Sequence, residues 1–358
     1  MTGVALTASG RIFRAPAVIP VLAVLAAFVV GLLLIVATGS SLGDAIAAFS
    51  QGAFGSPYAI SVSLNRATVY ALVGIGFVLA ARAGLTNVGG EGQIAVGGII
   101  ATAVAVHGGV DGLPLGLAVI LPVLAASLAG GLWGGLAGFL KVKAGTNEVI
   151  STLLLSFIAI WIVYWCVQST DLLRQPMTSA ATLPESPTVP LSTQVPLLTG
   201  SYAAPVTVGV VIALILAVVA AVVLARSTFG FQLRFVGLNP TAAARAGIPV
   251  ERMTVLALFL AGALGGLAGS IMLLGEQQSL KTGFSSGYGF DGLVVGLLAR
   301  GRISGVIAGA LLFGFLRSGG ITMEMAAGVP TALVQIVQGL IVISIAGAAY
   351  WMDRRSNG

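Results

Sequence analysis

Gly84-Leu-Thr-Asn-Val-Gly-Gly-Glu-Gly-Gln-Ile-Ala-Val-Gly-Gly98 is the stretch that decides how this chain folds. It sets one carboxylate, two side-chain amides and six glycines between long apolar runs. Glu91 falls at or near hydrocarbon depth, where an ionisable group is expensive and by default marks a functional position. The glycines predict a broken helix, whose freed backbone groups must face protein or a water-filled path. That combination points to a route through a helical bundle.

Composition supports the same class. The chain is 57% hydrophobic and 8% charged, whereas a soluble domain carries about 25% charged residues. The alternating short segments of a β-barrel are absent from the pattern. The expectation is an all-α polytopic membrane protein. Its 50 glycines suit closely packed membrane helices. The net charge of +6 is strung along the gaps between apolar runs, so it signals topology and not nucleic-acid binding. Cys166 is the single cysteine and His107 the single histidine. They offer no internal disulfide and no cysteine-based metal site.

Working outward, apolar runs predict about ten spans, near 17–38, 59–81, 91–107, 115–140, 148–168, 206–225, 253–274, 288–299, 303–318 and 331–350. The first is read as a retained helix, too long for a signal-peptide core. The eighth and ninth are short for a bilayer, which takes about 20 residues, and are expected to be half-helices or a re-entrant pair. With both termini cytoplasmic, thirteen Lys and Arg residues fall inside and four (Arg66, Arg174, Lys281 and Arg317) outside or near the outer ends. The positive-inside rule favours that orientation. Residues 169–205, rich in proline, form an extracytoplasmic loop expected to lack a core of its own, and residues 226–252 form a cytoplasmic loop.

Several polar groups sit inside these spans. Asn87, Glu91 and Gln93 in the broken segment could hydrogen-bond a polar solute, or Glu91 could pair with Arg82. Glu148, Thr152 and Ser156 recur every four residues, with Asn147 beside them, as a polar stripe that must look into the bundle. The stripe reads either as part of a path or as a hydrogen-bonded seam, and Glu148 also suits the first turn of a helix. A weak repeat relates Gly90-Glu91-Gly92 to Gly289-Phe-Asp291-Gly292, and paired glycine-interrupted segments point to a site where two halves meet. Gly130, Gly134 and Gly138, and Ala261, Gly265 and Gly269, are small-residue faces for close helix approach.

In the cytoplasmic loop, Asn239-Pro240 starts a turn, Thr241–Ala246 is a short helix former, and Gly247 stops it. Such a helix suits either docking to a partner or lying on anionic lipid. No catalytic constellation is present, and no Gly-x-x-x-x-Gly-Lys-Ser/Thr phosphate loop. No cofactor or metal is called for.

Thr86–Gln93, Thr146–Thr152 and Gly237–Ile248 carry a resemblance, supported by Leu260–Gly269 and Gly287–Leu298. The sequence resembles the permease subunit of bacterial ABC importers in the branched-chain amino acid, ribose and simple-sugar permease superfamily. It is most similar to the nucleoside-importer permeases. The resemblance implies a multi-pass protein of the bacterial inner membrane that pairs with a second permease subunit as a heterodimer. It also implies ATPase subunits docked through Gly237, Asn239, Pro240, Ala243, Arg245 and Gly247, and an extracytoplasmic solute-binding protein. A path would then draw on Asn87, Glu91, Gln93, Asn147, Glu148, Thr152 and Asp291, with Tyr288 and Phe290 to stack on a base. Alternatives keep the architecture but import a sugar or amino acid, or replace ATP by an ion relay through Glu91, Glu148 and Asp291.

Overall fold

The structure, a computed structural model, describes residues 18–37, 39–114, 116–178, 183–330, 332–341 and 343–344. Arg11, Arg14, Arg354 and Arg355, which entered the charge sorting, lie outside them. Among the described residues the regular secondary structure is helical, and the β contacts are two isolated bridges, Glu185 with Lys281 and Leu197 with Thr207. Six helices among the described residues are long and apolar enough to cross a membrane. The chain divides into two compact units, residues 60–315, and residues 1–59 with 316–358.

The larger unit holds most of the long helices. They are α3 (Pro57–Arg82, which begins just before the unit), α4 (Gly90–His107), α5 (Leu117–Ala144), α6 (Glu148–Gln168) and α7 (Gly209–Arg226). Short α8 (Thr228–Leu238) and α9 (Pro240–Arg245) follow, then α10 (Val250–Met272), α11 (Tyr288–Leu298) and α12 (Ile303–Ala327). Glycine and side-chain caps set several boundaries. α5 ends at Gly145, whose φ of +66 lets its N–H return to the Lys141 carbonyl. α6 starts at Asn147, whose Oδ1 accepts from Val149 N at 2.9 Å. α10 runs into a π-helical turn, Leu273–Gln277.

The centre of this unit is a contact between α5 and α10 made of backbone. A Cβ added at Gly266 would lie 3.0 Å from the Gly130 Cα, and one at Gly262 would lie 3.0 Å from the Gly134 Cα. Ser127 Oγ also donates across it to the Ala263 carbonyl at 3.0 Å. The other small-residue face of α10 packs on α4: a Cβ at Gly265 would meet the Gln93 side chain at 2.7 Å. The opposite side of α5 shows Leu124, Leu128 and Leu132, each more than half exposed. An apolar stripe of that kind suits lipid or a partner subunit.

Residues 183–208, expected to lack a core of their own, are tied by backbone hydrogen bonds to the rest of the unit. Ser186 N donates to the Leu280 carbonyl at 2.8 Å, Val189 N to Gln278 O at 2.9 Å and Val195 N to Leu274 O at 3.0 Å. Asn65 on α3 accepts from Thr207 N at 3.0 Å and donates to Pro205 O at 2.7 Å. The prolines lack a donor, but the residues between them supply the N–H groups. The segment therefore lies along the chain that leaves α10, and Val189 and Val195 are buried there.

The second unit contains α1 (Val18–Ala37), α2 (Leu42–Phe54) and α13 (Ala332–Ile341), with the end of α12. Two expectations change. α2 was not foreseen; Ser41 caps it by accepting from Asp44 N at 3.4 Å. α12 is not a short segment ending near residue 318 but a helix of 25 residues. It runs on through Gly319 and Gly320, where Gly319 makes room for the Phe49 ring at 2.6 Å from a would-be Cβ. α11, by contrast, is short as expected, at 11 residues. Of the last predicted span, residues 331, 342 and 345–350 lie outside the described residues.

Candidate functional site: the junction of two half-helices

The N-termini of α4 and α11 meet. A Cβ at Gly90 would lie 3.0 Å from the Gly289 carbonyl oxygen and 2.9 Å from Val73 Cγ1 of α3. The two acid-glycine segments of the weak repeat are thus brought into contact. Each N-terminus presents free N–H groups and the positive end of a helix dipole.

Glu91 answers this arrangement. Its Oε1 accepts from Gly287 N at 2.9 Å and its Oε2 from Gly289 N at 2.7 Å. A residue in the first turn of α4 therefore caps α11, although the two are nearly two hundred positions apart in sequence. Gly287, at φ +82, shapes the turn that aims its N–H at the carboxylate. Glu91 is 3% exposed, so these bonds replace water as its solvation. The expected pairing with Arg82 does not form. Arg82 Nη2 instead donates to the Gly301 carbonyl at 2.6 Å, because the turn after α3 carries Glu91 towards α11.

The segment before α4 is held as firmly. Asn87 Nδ2 donates to Gln93 Oε1 at 3.1 Å and Gln93 Nε2 to Asn87 Oδ1 at 3.2 Å. Asn87 Oδ1 also accepts from Gly89 N at 2.9 Å. Both amides are buried, and buried amides demand such partners. The α6 stripe closes the other side. Thr152 Oγ1 accepts from Val88 N at 3.1 Å, and Ser156 Oγ accepts from Gly92 N at 3.2 Å. Those hydroxyls satisfy N–H groups that the glycine break leaves free.

Asp291 and Tyr288 sit on the far side of the junction. Tyr70 of α3 donates from its hydroxyl to Asp291 Oδ2 at 3.3 Å and stacks on Tyr288 with ring centroids 5.0 Å apart. Tyr288 is buried and Phe290 half-buried. Asn147 and Glu148 stand apart from this group at the start of α6. Asn147 is the exposed cap of that helix, and Glu148 Oε2 accepts from Lys141 Nζ at 2.6 Å.

The segment after α7 is separately built. Asn239 caps α9 by accepting from Ala242 N at 3.0 Å, Pro240 fills the first helical position, and Gly247 at φ +81 ends the turn. Ala243 is buried and Arg245 exposed. Gly237, at the end of α8, lies against the turn after α3: a Cβ there would stand 2.8 Å from Gly84 N.

A further ion pair lies within this unit. Arg66 Nε lies 3.7 Å from Glu276 Oε1, between α3 and the π-helical turn. Arg66 was read only as a topology charge, although it stands inside an apolar span, the signal that should have singled it out.

Broken helices meeting end to end, a charged group between them and lipid-facing outer surfaces define a multi-pass membrane transport component. The chain belongs to the family described as branched-chain amino acid transport system / permease component, which it matches over residues 59–346, and it is an ABC transporter permease. It is 33% identical to the glucose ABC transporter permease protein TsgB13 of Haloferax volcanii, over 94% of this chain and 91% of that one. It is 32% identical to the guanosine ABC transporter permease protein NupP of Bacillus subtilis, over 92% and 93%. It is 29% identical to the nucleoside ABC transporter permease protein NupB of Lactococcus lactis subsp. cremoris, over 92% and 90%. No solved structure gives a significant match.

Proposed function

We propose that this permease imports nucleosides by alternating access, driven by separate ATPase subunits and supplied by an extracytoplasmic binding protein. It forms a single permease domain with about ten membrane passages and cytoplasmic termini, paired with a second, related permease. The observation that carries the mechanism is the Glu91 bridge from α4 to α11. A carboxylate holding two half-helix ends together is a latch: breaking its bonds frees both ends at once, and remaking them restores the block. Asn87, Gln93 and Thr152 hold the segment next to it, and Tyr288, Phe290 and Asp291 border it. Asn147 and Glu148 complete the path at the start of α6. Gly237, Asn239, Pro240, Ala243, Arg245 and Gly247 form the ATPase-docking region.

The nucleoside assignment is supported by the likeness to NupP and NupB. The comparable likeness to TsgB13 keeps a sugar as the second reading. An ion relay is less well supported, because Glu91 and Glu148 already have fixed partners.

The test is uptake of radiolabelled guanosine by cells lacking nucleoside importers and expressing the chain with its ATPase, binding protein and second permease. Uptake abolished by an ATPase mutation is the expected result. Uptake that survives that mutation would overturn the mechanism, and an assembled complex that takes up only sugars would overturn the solute.

A further inference from the structure

α3 presents one face to the junction. Tyr70 meets Tyr288 and Asp291, Val73 meets Gly292 and Phe77 meets Gly296. Residues three and four apart share a helix face, so Arg66 continues this face by one turn, beyond the start of α11. There it meets Glu276 in the π-helical turn. Such turns occur often at functional positions because they re-aim side chains out of the regular helix.

The carboxylate of this pair is short of donors. At 3.7 Å the contact is an ion pair without a hydrogen bond. Among the described residues nothing donates a hydrogen bond to the Glu276 carboxylate, although the Glu276 side chain is 31% exposed and that of Arg66 14%. A carboxylate within a membrane bundle needs donors, and this one has open acceptor sites held in place by a neighbouring guanidinium.

We propose that Arg66 and Glu276 form a docking point for the vicinal hydroxyls of the solute before it reaches the Glu91 latch. This rests on the importer reading above and narrows it to a solute class. Two adjacent hydroxyls can donate to the open carboxylate oxygens while the ion pair stays intact. A zwitterionic amino acid would have to break the pair to bind. Ribose and hexose rings both carry the required diol.

The experiment compares uptake of guanosine with uptake of 2′-deoxyguanosine, which lacks the diol, by the complete importer and by its Glu276→Gln form. Loss of a hydrogen bond to a charged group predicts a fall of about tenfold in the guanosine-to-deoxyguanosine uptake ratio, with deoxyguanosine uptake and ATP hydrolysis retained. Glu276→Asp keeps the charge but shortens the reach. It should shift the ratio the same way, and it serves where the glutamine form does not assemble. An unchanged ratio, or an equal fall for both nucleosides, would show that the pair only holds the fold and would overturn the proposal. Leucine uptake that depends on Glu276 would overturn the solute class. A wild-type complex with no ATP-dependent uptake would instead overturn the importer reading itself.

Discussion

The backbone of Gly84 rests on the backbone of Gly237. A Cβ built at Gly84 would stand 3.1 Å from the Gly237 Cα, and Gly84 itself adopts a φ of +72. The turn that leads from α3 towards Asn87 is therefore seated on the last residues of α8, just before the Asn239 cap. On the importer reading proposed above, this contact is one route by which a shift of α8 and α9 reaches the half-helix junction, beside their packing on α10. Overpacking it costs about 1–3 kcal/mol. Gly237→Ala should reduce uptake while the assembled complex still hydrolyses ATP. An alanine variant with normal uptake would remove this contact from the coupling route.

Glu91→Gln tests the latch. The substitution replaces one acceptor with an amide NH2 that faces a backbone N–H. Hydrogen bonds to charged groups contribute about 1.5–3 kcal/mol each. The purified variant should melt several degrees lower in detergent. An unchanged melting temperature would mean that the two bonds add nothing to the fold.

Thr152 offers a cleaner comparison, because valine has nearly its shape. Thr152→Val leaves the half-buried Val88 N without its acceptor, a loss of about 1 kcal/mol or more. Thr152→Ser keeps the oxygen and should be close to neutral. Equal melting temperatures for the two variants would show that the hydroxyl bond is not used.

The helix seam predicts a contrast between two glycines. Alanine at Gly266 would place its Cβ 3.0 Å from the Gly130 Cα, whereas alanine at Gly135 would meet only ordinary contacts, the nearest 3.5 Å from the Phe259 ring. Removing a helical glycine is worth up to about 1 kcal/mol in propensity. Gly135→Ala should match or exceed the native yield of folded protein on size exclusion, and Gly266→Ala should lose most of it. The reverse order would place the close contact elsewhere.

The class of fold and the helix break within Gly84–Gly98 were legible because they are written in side chains: apolar runs, glycines and an acid where none is cheap. The partner of Glu91 was not. Its donors are the backbone N–H groups of Gly287 and Gly289, and a main-chain donor leaves no trace in residue identity. Arg82 looked like the partner because it is near in sequence. α2 escaped notice because its 13 residues mix alanines with Asp44, Ser50 and Gln51. Arg317-Ser-Gly-Gly looked like the end of a helix that in fact continues. The faces at Gly130, Gly134 and Gly138 and at Ala261, Gly265 and Gly269 were legible, but Gly265 and Gly269 approach α4, and the face that meets α5 is a second one, Gly262 and Gly266.

That division has a mechanical consequence. Where two helices touch through Gly130, Gly134, Gly262 and Gly266, backbone meets backbone, and few side chains, Ser127 among them, lie across the seam to change rotamer and absorb a slide. α5 and α10 behave as one girder. On the importer reading proposed above, movement then falls outside this pair, where hydrogen bonds can break and remake: the Asn87 turn, the α11 entry and the π-helical turn at Glu276.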